Sequence, residues 1–291
     1  MVMMIATYNF NRLPTWLKNF ARKMFLLNCS CCLMKFTVYK ALARGVVLES
    51  LRRKDLWVVA ILGFLILVGS SAVGFFGVKG LQVFVKDLAV TVLGAFSAIV
   101  AILTSTRMLP EEIKQRTLYP LLSRPISRLD LLIGKLLGAI LVTWIAFAIL
   151  AALTAIALVG FHVRFEPIML QYVLAKMMGL ALMCSLGMTL SVYMTPSAAA
   201  TTGFIFTFGA SILVRGLTSA YDSATPAVQF VFKFINALMP QFTLFDLGGR
   251  TANVGWGPVP LWVMGFLLGY FLLYSSGLTA LAWARFQRRA I

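Results

Sequence analysis

The chain has 291 residues, of which 60% are hydrophobic and only 12% are charged. Because soluble domains carry about 25% charged residues, this composition excludes a soluble globular protein and indicates a membrane protein. The net charge of +17 does not indicate a nucleic-acid partner, because most Lys and Arg residues flank apolar segments, where membrane topology explains them.

Residues 1–34 are predicted to be an N-terminal extension that is disordered or interfacial, and Met34 is an alternative start of translation. The apolar run in this region is short and lacks a cleavage site, which argues against a secretory signal. Cys29, Cys31 and Cys32 lie here without the spacing of a disulfide framework or a zinc site. We interpret them as thiols near the cytoplasmic membrane surface, in preference to metal binding or acylation.

An amphipathic helix is predicted between Lys35 and Asp55. Its apolar residues recur at helical spacing, while its basic residues lie elsewhere on the helical wheel. This pattern is typical of a helix in the membrane interface rather than across it. The apolar positions are Phe36, Tyr39, Leu42, Ala43, Val46, Val47 and Leu51.

Six segments have the roughly 20 apolar residues that a transmembrane helix requires. Continuous apolar runs rather than alternating short segments favour helices over a β-barrel. The fold class is therefore all-α, a polytopic membrane protein whose domain covers residues 35–291. The predicted spans are 56–77, 88–106, 128–160, 168–194, 197–217 and 258–286.

Lys and Arg residues set the predicted orientation. They are concentrated before the first span, around the connection between the second and third spans, and in the C-terminal tail. By the positive-inside rule both termini are cytoplasmic, in the cytoplasmic (inner) membrane.

The region from Thr218 to Gly257 falls outside the membrane on the other side. Within it, Val228–Pro240 predicts a helix with a polar face of Gln229, Lys233 and Asn236. This helix is too short to cross, so we expect an external interfacial or re-entrant helix before the last span.

A charged stretch, PEEIKQRTLYPLLSRPISRLDLLIGKLLG from Pro110 to Gly138, separates the second and third spans. Pro110 suits the first turn of a helix, and Glu111 and Glu112 would then favour the positive end of its dipole. The pattern predicts a short cytoplasmic helix over Pro110–Leu118.

The same stretch predicts a break and a restart. Pro120 and Pro125 prevent the short helix from continuing straight. Ser127 lies three residues before Asp130, which is the spacing of a capping box that opens the third span. From these patterns alone, a shaped docking surface and a simple connecting loop are equally good interpretations.

The stretch resembles the cytoplasmic segment of type-2 ABC transporter permeases, especially the branch associated with multi-copper enzyme maturation. Arg116 departs from this resemblance, because many relatives have glycine there. The matching positions are Glu112, Thr117, Leu118, Leu122, Ser123, Pro125, Ile126, Ser127, Arg128, Gly134 and Lys135.

The resemblance implies a permease subunit driven by a separate ATP-binding-cassette ATPase, which would bind ATP and Mg²⁺ in place of this chain. It also implies pairing with a second copy or a related permease, with membrane lipids around both. The ATPase would dock on the cytoplasmic 107–130 segment, through Glu111, Glu112, Thr117, Leu118, Ser123, Pro125 and Arg128.

The chain offers few groups for chemistry of its own. It contains no phosphate-binding loop of the type G-x-x-x-x-G-K-[ST]. Its single histidine, His162, is expected in a short external loop without a matching partner. We therefore expect no enzyme activity, no metal and no bound cofactor.

Two features within the spans have open interpretations. Lys176 in the fourth span is expected to snorkel toward the outer interface, with a functional buried charge as the alternative. The pairs Gly134/Gly138 and Gly265/Gly269 are interpreted as sites of close helix packing.

The leading hypothesis is an exporter-type ABC permease. The alternatives are a membrane scaffold or assembly factor with the same layout, and, less favoured, an ion-coupled secondary transporter, because the spans contain few acids and no apparent repeat.

Overall fold

A computed structural model describes residues 39–50, 61, 63–64, 81–114, 128–160, 167–209, 229, 240–249 and 259–288. Within these ranges the chain is helical almost throughout and contains no strand. The all-α prediction is confirmed for this part of the chain.

Six helices organise the described residues. Residues 39–50 form α1. The others are α2 (Leu81–Lys114), α3 (Arg128–Gly160), α4 (Pro167–Tyr193), α5 (Pro196–Phe204) and α6 (Leu261–Arg288). A π-helical turn at Ile205–Gly209 continues α5, and a 3-10 turn at Phe242–Phe245 lies before α6.

Four of these helices contain a segment long and apolar enough to cross a bilayer. Of the remaining predicted spans, the first lies almost entirely outside the described residues, and the fifth corresponds to α5 and its π-helical turn. The count of six spans therefore stays a prediction, as does the re-entrant helix, of which only Gln229 and Pro240 are described. The four apolar segments are Lys86–Pro110, Leu129–Ile156, Pro167–Tyr193 and Leu261–Gln287.

The longest apolar run, α3, shows why these segments are helical. A chain in lipid must satisfy its backbone groups internally, and a helix does so within one segment. No proline interrupts the sequence of α3. Its buried hydroxyl at Thr143 donates to the carbonyl of Ala139 at 2.8 Å, so this polar side chain is also satisfied within the helix.

Helices α2 and α4 run parallel in close contact. Near their N-terminal ends, the Tyr172 hydroxyl donates to the carbonyl of Val90 at 3.2 Å. Further along both chains, Ser105 packs so tightly on Gly187 that a Cβ at that glycine would overlap the serine hydroxyl. Contacts that advance together along both helices define a parallel pair.

Helix α6 runs parallel to α4 by the same reasoning. Gln171 bonds to the backbone of Val259 just before α6. Eighteen residues further along α4, the Thr189 hydroxyl donates to the carbonyl of Leu278 at 3.1 Å.

Helices α3 and α5 run in the opposite direction to α4. Only six residues, 161–166, join α3 to α4, and the two helices pack together. This combination requires antiparallel neighbours. At the other end of α4 only Met194 and Thr195 precede α5, and Gly203 of α5 lies back beside Leu190.

The core is centred on α4. In its spanning window 72% of the residues are buried, against 6% in the window of α6. The outward side of α6 instead presents large apolar side chains, including Trp262, Phe266 and Leu273. Helix α4 is therefore the central element, and α6 lies at the periphery of the described structure.

The prediction that Pro110 opens a separate short helix is wrong. Helix α2 continues through Pro110 as far as Lys114. A proline inside a helix removes the N–H that would pair with the carbonyl four residues earlier, here Thr106. Transmembrane helices tolerate this when neighbouring helices pack against the backbone, and here Leu109, directly before Pro110, is fully buried.

The predicted periodicity of α1 is confirmed for residues 39–50. Ala43 and Val46 are buried, whereas Lys40 and Arg44 are exposed. The helix therefore has the apolar face and the basic face that its sequence indicates.

Candidate functional site

The predicted docking residues lie at the junction between α2 and α3. Glu111 and Glu112 belong to the last turn of α2, and Arg128 is the first residue of α3. The other predicted residues fall outside the described part of the chain, so their arrangement stays a prediction; they are Thr117, Leu118, Ser123 and Pro125.

Both ends of this connection are fixed in the core. Leu109, one residue before Pro110, is fully buried. On the other side, Leu131 and Leu132 are 0% and 1% exposed and belong to the same apolar cluster. A force applied to the connection would therefore be transmitted to the packed parts of α2 and α3.

The course of α2 reverses the earlier interpretation of the glutamates. Glu111 and Glu112 lie at the C-terminal end of α2, where unpaired carbonyls make the helix end negative. Two carboxylates at this end are unfavourable for the helix, whereas Lys114 is favourable there.

Helix α1 packs along the beginning of α3. The Tyr39 hydroxyl donates to the carboxylate of Asp130. One turn further, Leu42 lies against Gly134, where a Cβ would come within 2.6 Å of the leucine side chain. Because these contacts advance together on both helices, α1 and α3 run parallel.

The second glycine of the pair completes this contact. A Cβ at Gly138 would lie 2.8 Å from the Cβ of Val46, so only glycine fits at this approach of the two helices. The prediction that Gly134 and Gly138 serve close packing is confirmed, and their partner is α1. The same prediction for Gly265 and Gly269 is wrong within the described residues, because a Cβ at either position would meet no atom within 4 Å.

Lys135 occupies the same junction. Its side chain is 2% exposed, although Lys135 lies only seven residues after the first residue of α3. The carboxylate of Glu49, on α1, lies close enough to act electrostatically on the Lys135 ammonium. Helix α1 therefore contributes a charge as well as an apolar surface to the start of α3.

A second polar cluster lies toward the N-terminal ends of α2 and α4. Lys176 is 6% exposed, and its Nζ lies 3.4 Å from the Oδ2 of Asp246. The expectation that Lys176 snorkels toward the interface is wrong, because a carboxylate 70 positions further along the chain reaches the lysine where it lies.

Two more contacts attach the chain around Asp246 and before α6 to the spanning helices. The Gln171 side-chain amide donates to the Val259 carbonyl at 3.0 Å, and the Val259 N–H donates back to Gln171 at 2.7 Å. The N–H of Gln241 donates to the Tyr270 hydroxyl at 3.0 Å. The polar side chains of Gln171 and Lys176 in the predicted fourth span are thus satisfied by sequence-distant partners.

These partners were missed for an identifiable reason. Asp246 stands in a stretch rich in Gly and Pro that reads as an external loop, and nothing local relates it to Lys176. One signal was available in the sequence. A lysine within an apolar span requires an acidic partner, and the chain has only nine Asp and Glu residues that could provide it.

Chemically, the arrangement can hold helices together and transmit movement between them. Among the described residues, no group of three His, Cys, Asp or Glu side chains could hold a metal ion. What the geometry does provide is a bundle of apolar helices with one connection anchored on both sides in the core. These features define a polytopic helical membrane protein.

Comparison with known families gives the particular class. Residues 40–291 match the family described as ABC-2 family transporter protein, and because the match covers most of the chain, the protein belongs to this family. It is thus a transmembrane permease protein of the ABC transporter class. A search of curated proteins finds no match.

Proposed function

We propose that this chain is the membrane-spanning subunit of an ABC exporter, driven by a separate ATPase that docks on the cytoplasmic 107–130 segment. The cytoplasmic (inner) membrane, two cytoplasmic termini and six spans are parts of the same proposal. The partnership of a permease with an ATPase subunit follows from the family, while the docking site and the direction of transport are our inference. Membership of the multi-copper maturation branch, which the segment resembles, is also part of the proposal.

The observation that carries the docking site is the continuity of α2. This helix extends from Leu81 to Lys114 without interruption, and Leu109 near its end is fully buried. A rigid helix that enters the docking segment can convert movement of a bound ATPase into tilting of a span.

The acidic pair supports the same location. Glu111 and Glu112 lie in the last turn of α2, where the helix dipole favours a cation, so a cation on a partner would be attracted there. A basic surface on the ATPase is the simplest complement, and a charged contact of this kind also fixes which partner binds.

The parallel course of α2, α4 and α6 supports the six-span layout. Two parallel helices in a membrane must be separated by an odd number of crossings. One crossing, α3, separates α2 from α4, and α5 with its π-helical turn begins a return beside α4. This course is compatible with a complete fifth span before α6.

The test is co-purification of the full chain from its native membrane, followed by identification of the associated proteins. We expect a chain that carries a phosphate-binding loop. Glu112→Lys should weaken this association, whereas Asp87→Lys, an exposed acid near the opposite end of α2, should not.

Two results would overturn the proposal. Absence of any nucleotide-binding subunit would contradict the permease assignment, and full association of Glu112→Lys would contradict the docking site. If the reconstituted complex hydrolyses ATP without moving cargo into vesicles, the scaffold alternative is favoured instead.

A further inference from the structure

We infer that residues 240–249, here called the 240–249 segment, form a latch on the outer side of the protein. Its releasable contact is the ion pair between Lys176 and Asp246. In the closed state this pair holds the segment against α2 and α4, and movement of α2 during the ATPase cycle releases it. The inference rests on the proposed function, which places the segment outside and couples α2 to the ATPase.

The first observation is the burial of the cation. Lys176 is 6% exposed on the most buried helix of the protein. A charge within a span is costly without a partner and therefore marks a functional contact. Asp246 supplies that partner at 3.4 Å, while its own side chain remains 52% exposed.

The second observation is the way α2 shapes the position of the ammonium. A Cβ at Gly94 would lie 2.9 Å from the Lys176 Nζ, so the ammonium lies directly against α2, in space that a larger side chain at position 94 would enter. The Tyr172 hydroxyl, bonded to the Val90 carbonyl, borders the same space. A small shift of α2 against α4 therefore changes the place where the ammonium lies.

The third observation divides the 240–249 segment into an anchor and a release point. Phe245 is 1% exposed and lies against Gly179 of α4, where a Cβ would come within 2.8 Å of it. Its ring also contacts that of Tyr270 on α6, with 6.1 Å between centroids. This apolar contact holds the segment in place during a movement of α2.

Asp246, directly after this anchor, is suited to release. Its Oδ1 accepts the N–H of Gly248 at 3.2 Å, so the segment itself orients the carboxylate. Because half of the side chain is exposed, water can replace the ammonium at low cost when the pair separates. The buried Lys176 ammonium has no such access to water. The space that it occupies between Gly94 and Tyr172 must therefore change shape before the ion pair can separate.

Helix α2 connects this space to the proposed docking site. Gly94 and Glu112 belong to the same uninterrupted helix, and the 18 residues between them span about 27 Å at the usual rise per residue. A tilt imposed at the docking segment is therefore transmitted along α2 to the space around the lysine. This makes the ion pair a point at which the cytoplasmic cycle can control the outer surface.

The experiment uses the full chain with its ATPase in intact cells and in right-side-out membrane vesicles. Leu247→Cys provides a reporter, because Leu247 is only partly exposed and packs against the apolar core, so a thiol there becomes accessible when this part of the segment moves away. Labelling with a membrane-impermeant maleimide is measured over time. The chain without the reporter gives the background from the natural cysteines.

Lys176→Met and Asp246→Asn should each raise the labelling rate about tenfold, because residues 246–249 then move away from α4 more often while Phe245 stays anchored. Asp87→Asn removes an exposed acid from the same end of α2 and should leave the rate unchanged. Combining Lys176→Glu with Asp246→Lys should restore slow labelling. Asp246→Asn preserves the shape of the residue, so the test does not depend on the lysine variant alone.

ATP distinguishes a latch from a fixed clip. In the parent chain, ATP loaded into the vesicles should raise the labelling rate toward that of Lys176→Met and Asp246→Asn. The labelling rate of these two variants should change little with ATP. If the parent rate does not change with ATP while the ATPase is bound, the ion pair is a static contact and the inference is wrong. Equal rates in the parent and both variants would overturn it as well.

Failure of the proposed function gives different results. No association with an ATPase overturns that function, while faster labelling of Lys176→Met would still show that the ion pair closes the segment. No labelling of the reporter in any variant, with normal labelling after the membrane is permeabilised, would show that the segment is not outside, and both proposals would fall.

Discussion

The contact between α1 and α3 predicts a ranked effect of replacing glycine by alanine. At Gly138 the new Cβ would lie 2.8 Å from the Cβ of Val46 and 2.9 and 3.0 Å from its γ carbons. Ordinary contact begins at 3.4 Å, so α1 must retreat by 3.4 − 2.8 = 0.6 Å. Because a Cβ moves with its backbone, rotation of the valine side chain cannot relieve the overlap, and overpacking of this kind costs about 1–3 kcal/mol.

Gly134→Ala should cost less. The nearest atom there is the Cδ1 of Leu42, at 2.6 Å, which is the flexible end of a side chain and can turn away. Gly269→Ala on α6 is the control, since a Cβ there meets nothing within 4 Å. All three substitutions share the gain in helix propensity of up to about 1 kcal/mol, so their differences isolate the clash with α1.

The assay is thermal unfolding of the full chain in lipid nanodiscs, with trypsin cleavage at Lys40 and Arg44 as a second readout. We expect Gly138→Ala to melt about 2–10 °C below Gly269→Ala, with Gly134→Ala between them. Detachment of α1 should also speed cleavage at the two exposed basic residues. Equal melting of Gly138→Ala and its control, or a larger loss for Gly134→Ala, would refute the close packing described above.

Three further substitutions test other contacts by the same unfolding assay. Gln171→Leu removes both hydrogen bonds to the backbone before α6 and should cost about 1–3 kcal/mol, mostly through the unpaired backbone groups; no loss would mean that these groups find water. Tyr270→Phe should cost about 1 kcal/mol by removing one acceptor, and a neutral result would show that the bond to the 240–249 segment does not stabilise the fold. Leu131→Ala in the core should cost about 2–5 kcal/mol, whereas Leu137→Ala, at 42% exposure on the same helix, should cost far less; similar losses would contradict the placement of the core.

The sequence was most informative where a local pattern decides the structure. The uninterrupted apolar run of α3 predicted a helix from Arg128 to Gly160, and the helix has these bounds. The apolar and basic faces of α1 followed from helical spacing for the same reason. Helical spacing could not show that α1 packs on α3, because the acceptor of the Tyr39 hydroxyl, Asp130, lies 91 positions away.

The two errors have physical causes. Pro110 was assigned to a helix start because proline disfavours helix interiors, but the packing of α2 against α3 and α4 outweighs this local preference. Lys176 was expected to reach toward water because a local pattern cannot show a distant partner. The glycine that leaves space for the ammonium, Gly94, is 82 positions before the lysine, and its role becomes visible only in three dimensions.

The two-residue turn between α4 and α5 limits how the bundle can deform. With only Met194 and Thr195 between Tyr193 and Pro196, the ends of these helices cannot separate by more than the length of a few peptide units. Because α4 is parallel to α2, this turn lies at the same end of the bundle as the last turn of α2. Any tilt that displaces the C-terminal end of α4 must therefore displace the start of α5 as well.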